Sequence, residues 1–178
     1  LTNAQKKSFS EIRSDLRSEK PMNRLVQGDV GSGKTLVSFL AAVDVFESGF
    51  QTCLMAPTEI LAEQHFKNAE KVLSPLGLKI GLLTGKTKTK DRNALLEQLL
   101  NGEIHLLIGT HALIEDWVQF KSLGLVIIDE QHRFGVQQRG ISKNKGQSPH
   151  FLIMTATPIP RTLAMTVYGD LDVSIIDE

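Results

Sequence analysis

The chain has 178 residues, of which 41% are hydrophobic, and its 20 basic side chains balance 20 acidic ones to a formal net charge of zero. This length fits one domain with a core of its own, and the neutral charge means that a polyanion could bind only at a local patch or at backbone amides. A single cysteine, Cys53, excludes a disulfide framework and a cysteine-based metal site, and no apolar run approaches the ~18 residues that span a bilayer.

A helix is predicted near the N-terminus, where Phe9, Ile12 and Leu16 recur at helical spacing. Just before them, Thr2 and Gln5 have the spacing of a capping box, in which each side chain bonds the other residue's backbone N–H. This pattern predicts a structural role for Gln5 at the start of the helix.

Residues 28–35, with the sequence GDVGSGKT, follow the apolar run Leu25–Gln27 and precede the helical pattern Leu36–Phe46. Glycines at a strand-to-helix turn let backbone N–H groups converge on phosphate oxygens at the helix N-terminus. Lys34 would reach the β- and γ-phosphates of a nucleotide, and Thr35 would ligate Mg²⁺. A turn without a ligand needs neither side chain. The residues predicted to bind nucleotide here are Gly28, Gly31, Ser32, Gly33, Lys34 and Thr35.

Further apolar runs of strand length follow along the chain, and two of the connections between them have helical periodicity, Ile60–Leu73 and Asp91–Leu100. Short continuous apolar strands that alternate with helices are typical of parallel strands buried on both faces. The pattern predicts one α/β domain over residues 1–178, a three-layer sandwich with a mostly parallel central sheet. The predicted strands are Thr52–Ala56, Lys79–Leu83, Leu106–Gly109, Leu125–Asp129, Phe151–Thr155 and Val173–Ile176.

Two adjacent carboxylates, Asp129 and Glu130, end one of these strands. Asp129 would hold Mg²⁺, and Glu130 could then polarise an attacking water. This arrangement favours hydrolysis over transfer to an acceptor, with Glu130, Lys34 and Asp129 as the catalytic residues. The structural alternative is a pair of solvated strand-end acids or a helix N-cap.

The segment Asp129–His132, taken with Thr155–Thr157, resembles the coupling motifs of superfamily 2 helicases. Residues 56–62 and 109–113 look like the two DNA-contacting segments of this superfamily, and Thr84–Gly85 looks like the small segment between them. Residues 28–35, 129–139 and 155–165 are near-verbatim those of the RecG family. The alternative is a transcription-repair coupling factor, but that relative typically has Glu where this chain has Gln131.

The resemblance implies a RecA-like motor domain of a bacterial, cytoplasmic, monomeric DNA translocase that uses ATP and Mg²⁺ to remodel branched DNA and stalled replication forks. Residues 1–178 would be the first motor domain. The second RecA-like domain, its partner in cis, and the wedge domain are expected outside these residues. An arginine finger from the second domain accelerates hydrolysis roughly 10³- to 10⁵-fold, so we expect these residues alone to bind nucleotide and hydrolyse it poorly.

The resemblance also assigns roles to individual residues. It implies an adenine contact for Gln5, which stands beside the capping role as an alternative. Thr58 could be the N-cap of the following helix as well as a DNA contact, since a capped helix N-terminus still offers amides to a phosphate. The coupling residues are His132, Thr155, Thr157 and Arg161. The residues expected to bind DNA are Pro57, Thr58, Thr84, Gly85, Thr110 and His111.

Three further patterns are weaker. The basic run from Lys86 to Arg92 is more typical of a solvated face than of a DNA contact, and Trp117 with Phe120 is expected in the core. Residues 144–147 (NKGQ) are similar to a guanine-reading motif, but Gln147 lacks the carboxylate that guanine requires. A stand-alone GTP-dependent enzyme is therefore less favoured. A noncatalytic nucleotide sensor is also less favoured, because Lys34, Thr35, Asp129 and Glu130 are all present.

Overall fold

The computed structural model of the protein describes residues 2–29, 31–129, 149–156 and 171–177. Within these ranges a seven-stranded sheet lies at the centre of the fold. The strands are β1 (Asn23–Gly28), β2 (Gln51–Met55), β3 (Ile80–Leu83), β4 (Leu106–Gly109), β5 (Leu123–Asp129), β6 (His150–Thr155) and β7 (Asp172–Ile176). Their order across the sheet is β3-β4-β2-β5-β6-β1-β7, and every neighbouring pair is parallel.

Four α-helices and two 3₁₀ turns connect the strands of the described residues. The helices are α1 (Asn3–Leu16), α2 (Lys34–Glu47), α3 (Glu59–Leu73) and α4 (Thr89–Leu100), and the 3₁₀ turns are Ser74–Leu76 and His111–Ile114. The capping box predicted at the start of α1 is present, with both reciprocal bonds between Thr2 and Gln5. None of these helices is long and apolar enough to cross a membrane.

The core forms two layers, one on each face of the sheet, because successive strand residues point to opposite faces. On one face, Val26 and Leu54 pack with α1, α2 and α3. On the other face, their neighbours Leu25 and Cys53 pack with α4 and the segment around Leu113. The predicted three-layer α/β sandwich is therefore confirmed, and the sheet is parallel throughout its described strands.

Strand β1 begins two residues before the predicted apolar run because its polar residue Arg24 is buried among charge partners. The guanidinium Nε of Arg24 lies 2.7 Å from Oδ2 of Asp15 in α1, and its Nη1 bonds Oγ of Ser174 in β7 at 2.9 Å. Oε2 of Glu11 lies 3.6 Å from the same Nη1. This network ties α1 to the β1 and β7 side of the sheet.

Candidate functional site at the carboxyl edge of the sheet

The parallel strands bring the predicted functional segments to one edge of the sheet. Asp129 on β5 is level with Met154 on β6, and Met154 is level with Val26 on β1, two residues before the loop that starts at Gly28. On the other half of the sheet, Met55 and Leu83 are both level with Gly109. Ligands of open α/β sheets bind beyond this carboxyl edge.

The loop after β1 makes the strand-to-helix turn on which the predicted phosphate site depends. Gly31 and Gly33 have φ values of 85° and 87°, in the left-handed region that side chains with a Cβ rarely adopt. The Ser32 N–H donates to the carbonyl of Asp29 at 3.0 Å, and helix α2 starts at Lys34. The hydroxyl of Ser32 is buried and has no hydrogen-bond partner among the described residues. The turn therefore presents the N-terminus of α2, where an anion is favoured.

Lys34 folds back onto this loop. Its Nζ donates to the carbonyl of Gly28 at 2.6 Å and to that of Asp29 at 3.1 Å. Burial lowers the pKa of Lys34 below its ordinary value, and the negative charges of Asp129 and Asp29 oppose that shift. The ammonium group is thus held by acceptors that phosphate oxygens could replace, with the Asp129 carboxylate close enough to act on it.

Thr35 and Asp129, the predicted ligands of Mg²⁺, lie on the two elements that flank this site. Thr35 is the second residue of α2, and the side chain of Asp129 is 23% exposed at the end of β5. Mg²⁺ in nucleotide sites typically uses one or two carboxylates together with substrate phosphates. A hydroxyl and a carboxylate beside a phosphate loop fit this ion.

Gln5 makes a contact that its sequence pattern does not reveal. Its Oε1 accepts the Thr2 N–H at 2.8 Å, while its Nε2 donates to the carbonyl of Ser32 at 2.9 Å. A Cβ on Gly33 would overlap the Gln5 amide. Gln5 therefore connects the start of α1 directly to the phosphate loop, and both the oxygen and the nitrogen of its amide are hydrogen-bonded within the protein.

Asp129 also has a partner that the sequence reasoning missed, the buried residue His65 of α3. Nε2 of His65 lies 2.7 Å from Oδ2 of Asp129. The sequence does indicate that His65 is buried, because it lies three residues after Ala62 and four before Ala69, and both alanines face the core. Helical spacing alone does not say which strand end such a side chain meets.

The segments expected to bind DNA follow β2, β3 and β4, which are neighbours in the sheet. Thr58 caps α3, since its Oγ1 accepts the Leu61 N–H at 3.2 Å. Thr84 closes a turn by accepting the Lys86 N–H at 3.2 Å, and Thr84 and Thr110 are buried. The exposed members of the set, Thr58, Gly85 and His111, and the half-buried Pro57 remain available on this part of the edge.

The basic run beside Thr84 is partly engaged within the protein. Nζ of Lys86 lies 3.5 Å from Oε2 of Glu59, and the guanidinium of Arg92 lies 5.4 Å from the centre of the Trp117 ring. The expectation that Trp117 is a core residue is wrong, because its side chain is 44% exposed and packs under Arg92, whereas Phe120 does pack against the core.

Of the residues predicted to couple the motor, Thr155 ends β6, is buried and is level with Gln27 of β1. The other predicted residues Glu130, His132, Thr157 and Arg161, and the guanine-like segment 144–147, lie outside the described residues.

Comparison with known proteins defines the class. The sequence profile of the DEAD/DEAH box helicases matches residues 2–166, and the chain belongs to that family. Within it, the chain is similar over 99% of its length to ATP-dependent DNA helicase RecG of Haemophilus influenzae, with 59% identity. It is 55% identical over its whole length to the RecG of Aquifex aeolicus. The chain spans only 26% and 23% of these two relatives.

Solved structures agree with this assignment. A structure of RecG bound to a three-way DNA junction matches the whole chain with a TM-score of 0.84 and 51% identity, and the match covers 24% of that protein. The helicase MrfA bound to DNA matches with a TM-score of 0.75 at 18% identity, which shows a common fold alone. The RecA-like fold class and the resemblance to RecG predicted from the motifs are confirmed.

Proposed function

We propose that this chain is the first RecA-like motor domain of a RecG-like DNA translocase, which couples ATP hydrolysis to the remodelling of branched DNA and stalled replication forks. One observation carries the proposal. The phosphate loop after β1 and the Asp129 carboxylate at the end of β5 lie at one edge of the sheet, and the DNA-contact candidates after β2, β3 and β4 continue the same edge. A rigid sheet would then join two halves of this edge. The nucleotide half, at the ends of β5 and β1, would bind adenine and the Mg²⁺-bound phosphates, and the DNA half, at the ends of β2, β3 and β4, would bind DNA.

On the nucleotide half, the residues of this chain bind and orient the triphosphate. Lys34 would exchange its present acceptors, the carbonyls of Gly28 and Asp29, for phosphate oxygens. Thr35 and Asp129 would hold Mg²⁺, which when bound neutralises charge that develops on the phosphate oxygens. Glu130, next to Asp129 in sequence, would accept a proton from the attacking water.

On the DNA half, Thr58 and the exposed residues of the neighbouring loops would contact the sugar-phosphate backbone. Backbone contacts at a helix N-terminus carry no sequence information, which suits a motor that moves along any sequence. His132, Thr155, Thr157 and Arg161 would pass the state of the nucleotide to the DNA contacts. The relatives reported above are RecG proteins, which favours this identity over a transcription-repair coupling factor.

The proposals about the longer protein follow from the family resemblance. We propose a bacterial cytoplasmic protein that acts as a monomer, with a second RecA-like domain supplying the arginine finger in cis. Branched DNA would be engaged by the longer protein, including its wedge domain. These 178 residues alone would bind nucleotide with little turnover.

Nucleotide binding by this chain is the direct test. Titration with a fluorescent ATP analogue and Mg²⁺ should give saturable binding that Lys34→Ala weakens. Because hydrogen bonds to charged groups contribute about 1.5 to 3 kcal/mol, the loss should be about 10- to 100-fold. Lys71→Ala, on an exposed part of α3, is the matched control. Equal affinity in the wild type and Lys34→Ala would refute the site, and a preference for GTP would indicate the GTP-dependent alternative.

A further inference from the structure

We propose that His65 is a positioning residue for Asp129, and that through this contact helix α3 connects the DNA half of the edge to the Mg²⁺ carboxylate. The inference rests on the proposed function, because it concerns the same nucleotide site. It assigns a role to a side chain that lies in none of the motifs by which the sequence resembles a helicase.

The contact itself is short and sheltered. Nε2 of His65 and Oδ2 of Asp129 are 2.7 Å apart, and the two side chains are 10% and 23% exposed. An ionised carboxylate only accepts hydrogen bonds, so the hydrogen of this bond belongs to Nε2. A hydrogen bond of this length to a charged acceptor is among the stronger ones in proteins.

The bond fixes a torsion that would otherwise be soft. The last torsion of an aspartate side chain has a broad energy minimum, so the backbone of β5 alone does not determine where the two carboxylate oxygens of Asp129 point. The bond from His65 holds Oδ2 and so fixes the orientation of the whole carboxylate. Partners that orient a metal-binding group in this way typically contribute about 10- to 100-fold to metal affinity or activity.

The position of His65 on α3 also connects this contact to the DNA half of the edge. Helix α3 begins immediately after Thr58, the residue that caps its N-terminus. Thr58 is exposed on the DNA half of the edge. His65 lies seven residues further on, which is about two turns and roughly 10 Å along the helix axis. A rigid helix therefore holds both a DNA-contact candidate and the partner of Asp129, so a shift of α3 against β5 would change the His65 to Asp129 distance.

Paired substitutions separate positioning from simple packing. His65→Leu removes the donor, whereas His65→Gln offers an amide N–H at a similar reach. With this chain, we would measure ATP-analogue affinity as a function of Mg²⁺ concentration, affinity without Mg²⁺, and the melting temperature. His150→Leu is the matched control, since His150 is half-buried and, like His65, hydrogen-bonded, but it lies at the start of β6, at the opposite edge.

We expect His65→Leu to raise the half-saturating Mg²⁺ concentration about 10-fold or more, to leave Mg²⁺-free affinity unchanged, and to be largely rescued by His65→Gln. In a longer protein that carries the second motor domain, the stimulation of hydrolysis by branched DNA should also fall in His65→Leu and recover in His65→Gln. An unchanged stimulation factor would overturn the link to the DNA half.

A purely structural contact would give a different result, namely a lower melting temperature in His65→Leu with an unchanged Mg²⁺ requirement, and that outcome would overturn the positioning role. Lys34→Ala, run in parallel, separates this inference from the proposed function. If Lys34→Ala retains full nucleotide affinity, the nucleotide site itself is wrong. If Lys34→Ala fails to bind and His65→Leu keeps the wild-type Mg²⁺ dependence, only the role of His65 is refuted.

Discussion

Replacing Gln5 with alanine should destabilise the domain and loosen the phosphate loop at the same time. The Gln5 side chain is buried, and its amide connects the backbone of Thr2 at the start of α1 to the carbonyl of Ser32 in the loop. Alanine removes both bonds and leaves the Ser32 carbonyl without this donor.

The size of the effect follows from these two bonds. Each is 2.8 to 2.9 Å long and should contribute about 1 kcal/mol, the typical net value for an intramolecular hydrogen bond. The expected loss is about 2 kcal/mol in the free energy of unfolding. For a domain of this length, about 1 kcal/mol corresponds to a shift in melting temperature of about 2 to 4 °C, so Gln5→Ala should melt about 4 to 8 °C lower.

Thermal unfolding and nucleotide titration of the wild type, Gln5→Ala and Gln5→Glu test this reasoning. Gln5→Glu keeps the acceptor for the Thr2 N–H, but its carboxylate cannot donate to the Ser32 carbonyl and repels it, so at least half of the stability loss should remain. Because Gln5 acts through the loop, Gln5→Ala should weaken ATP and GTP binding by the same factor. An unchanged melting temperature together with a selective loss of ATP affinity would refute the capping account and show that Gln5 reads adenine.

Three further predictions concern stability, pH and DNA. Arg24→Met leaves the partly buried Asp15 without its 2.7 Å partner and should cost about 3 kcal/mol in urea unfolding; an unchanged midpoint would contradict this. Nδ1 of His150 accepts the Met22 N–H, and burial lowers the pKa of His150 below 6.5. The unfolded chain then binds more protons, so stability should fall as pH drops below about 6.5, and His150→Asn, which keeps an acceptor but does not titrate, should flatten that fall. Thr58→Asn and Thr58→Asp both keep the helix cap, but only Asp should weaken DNA binding by repelling a phosphate; equal DNA affinities would argue against the contact.

Much of the fold could be predicted because the buried strands are short apolar runs. Leu106–Gly109 has the bounds predicted for it, and the other described strands differ from the prediction by up to two residues at an end. The early start of β1 at Asn23 could not be read from local pattern, since Arg24 is polar and becomes buried only through partners in α1 and β7. Long-range charge pairing thus overrides the hydrophobic pattern at this strand.

The candidate site likewise has parts that the local sequence predicts and contacts that it does not. The loop from Gly28 to Thr35 and the strand-end Asp129 are local patterns with their own chemistry, and both stand at the carboxyl edge where the sequence predicts them. The contacts of Gln5 with Ser32 and of His65 with Asp129 join residues 27 and 64 positions apart. Such contacts depend on how helices pack against the sheet, and local periodicity indicates which face of a helix is buried but not which residues of the sheet that face meets.

Hydrolysis of Mg²⁺-ATP with and without branched DNA tests the central claim most directly. The 178-residue chain would be compared with a version extended by roughly 200 residues, one further domain, and with the Glu130→Gln variant of that longer protein. A DNA-driven motor predicts turnover that appears on extension, rises with branched DNA and is lost in Glu130→Gln. Full turnover by the 178 residues alone, indifferent to DNA, would contradict it and indicate a self-sufficient nucleotide hydrolase.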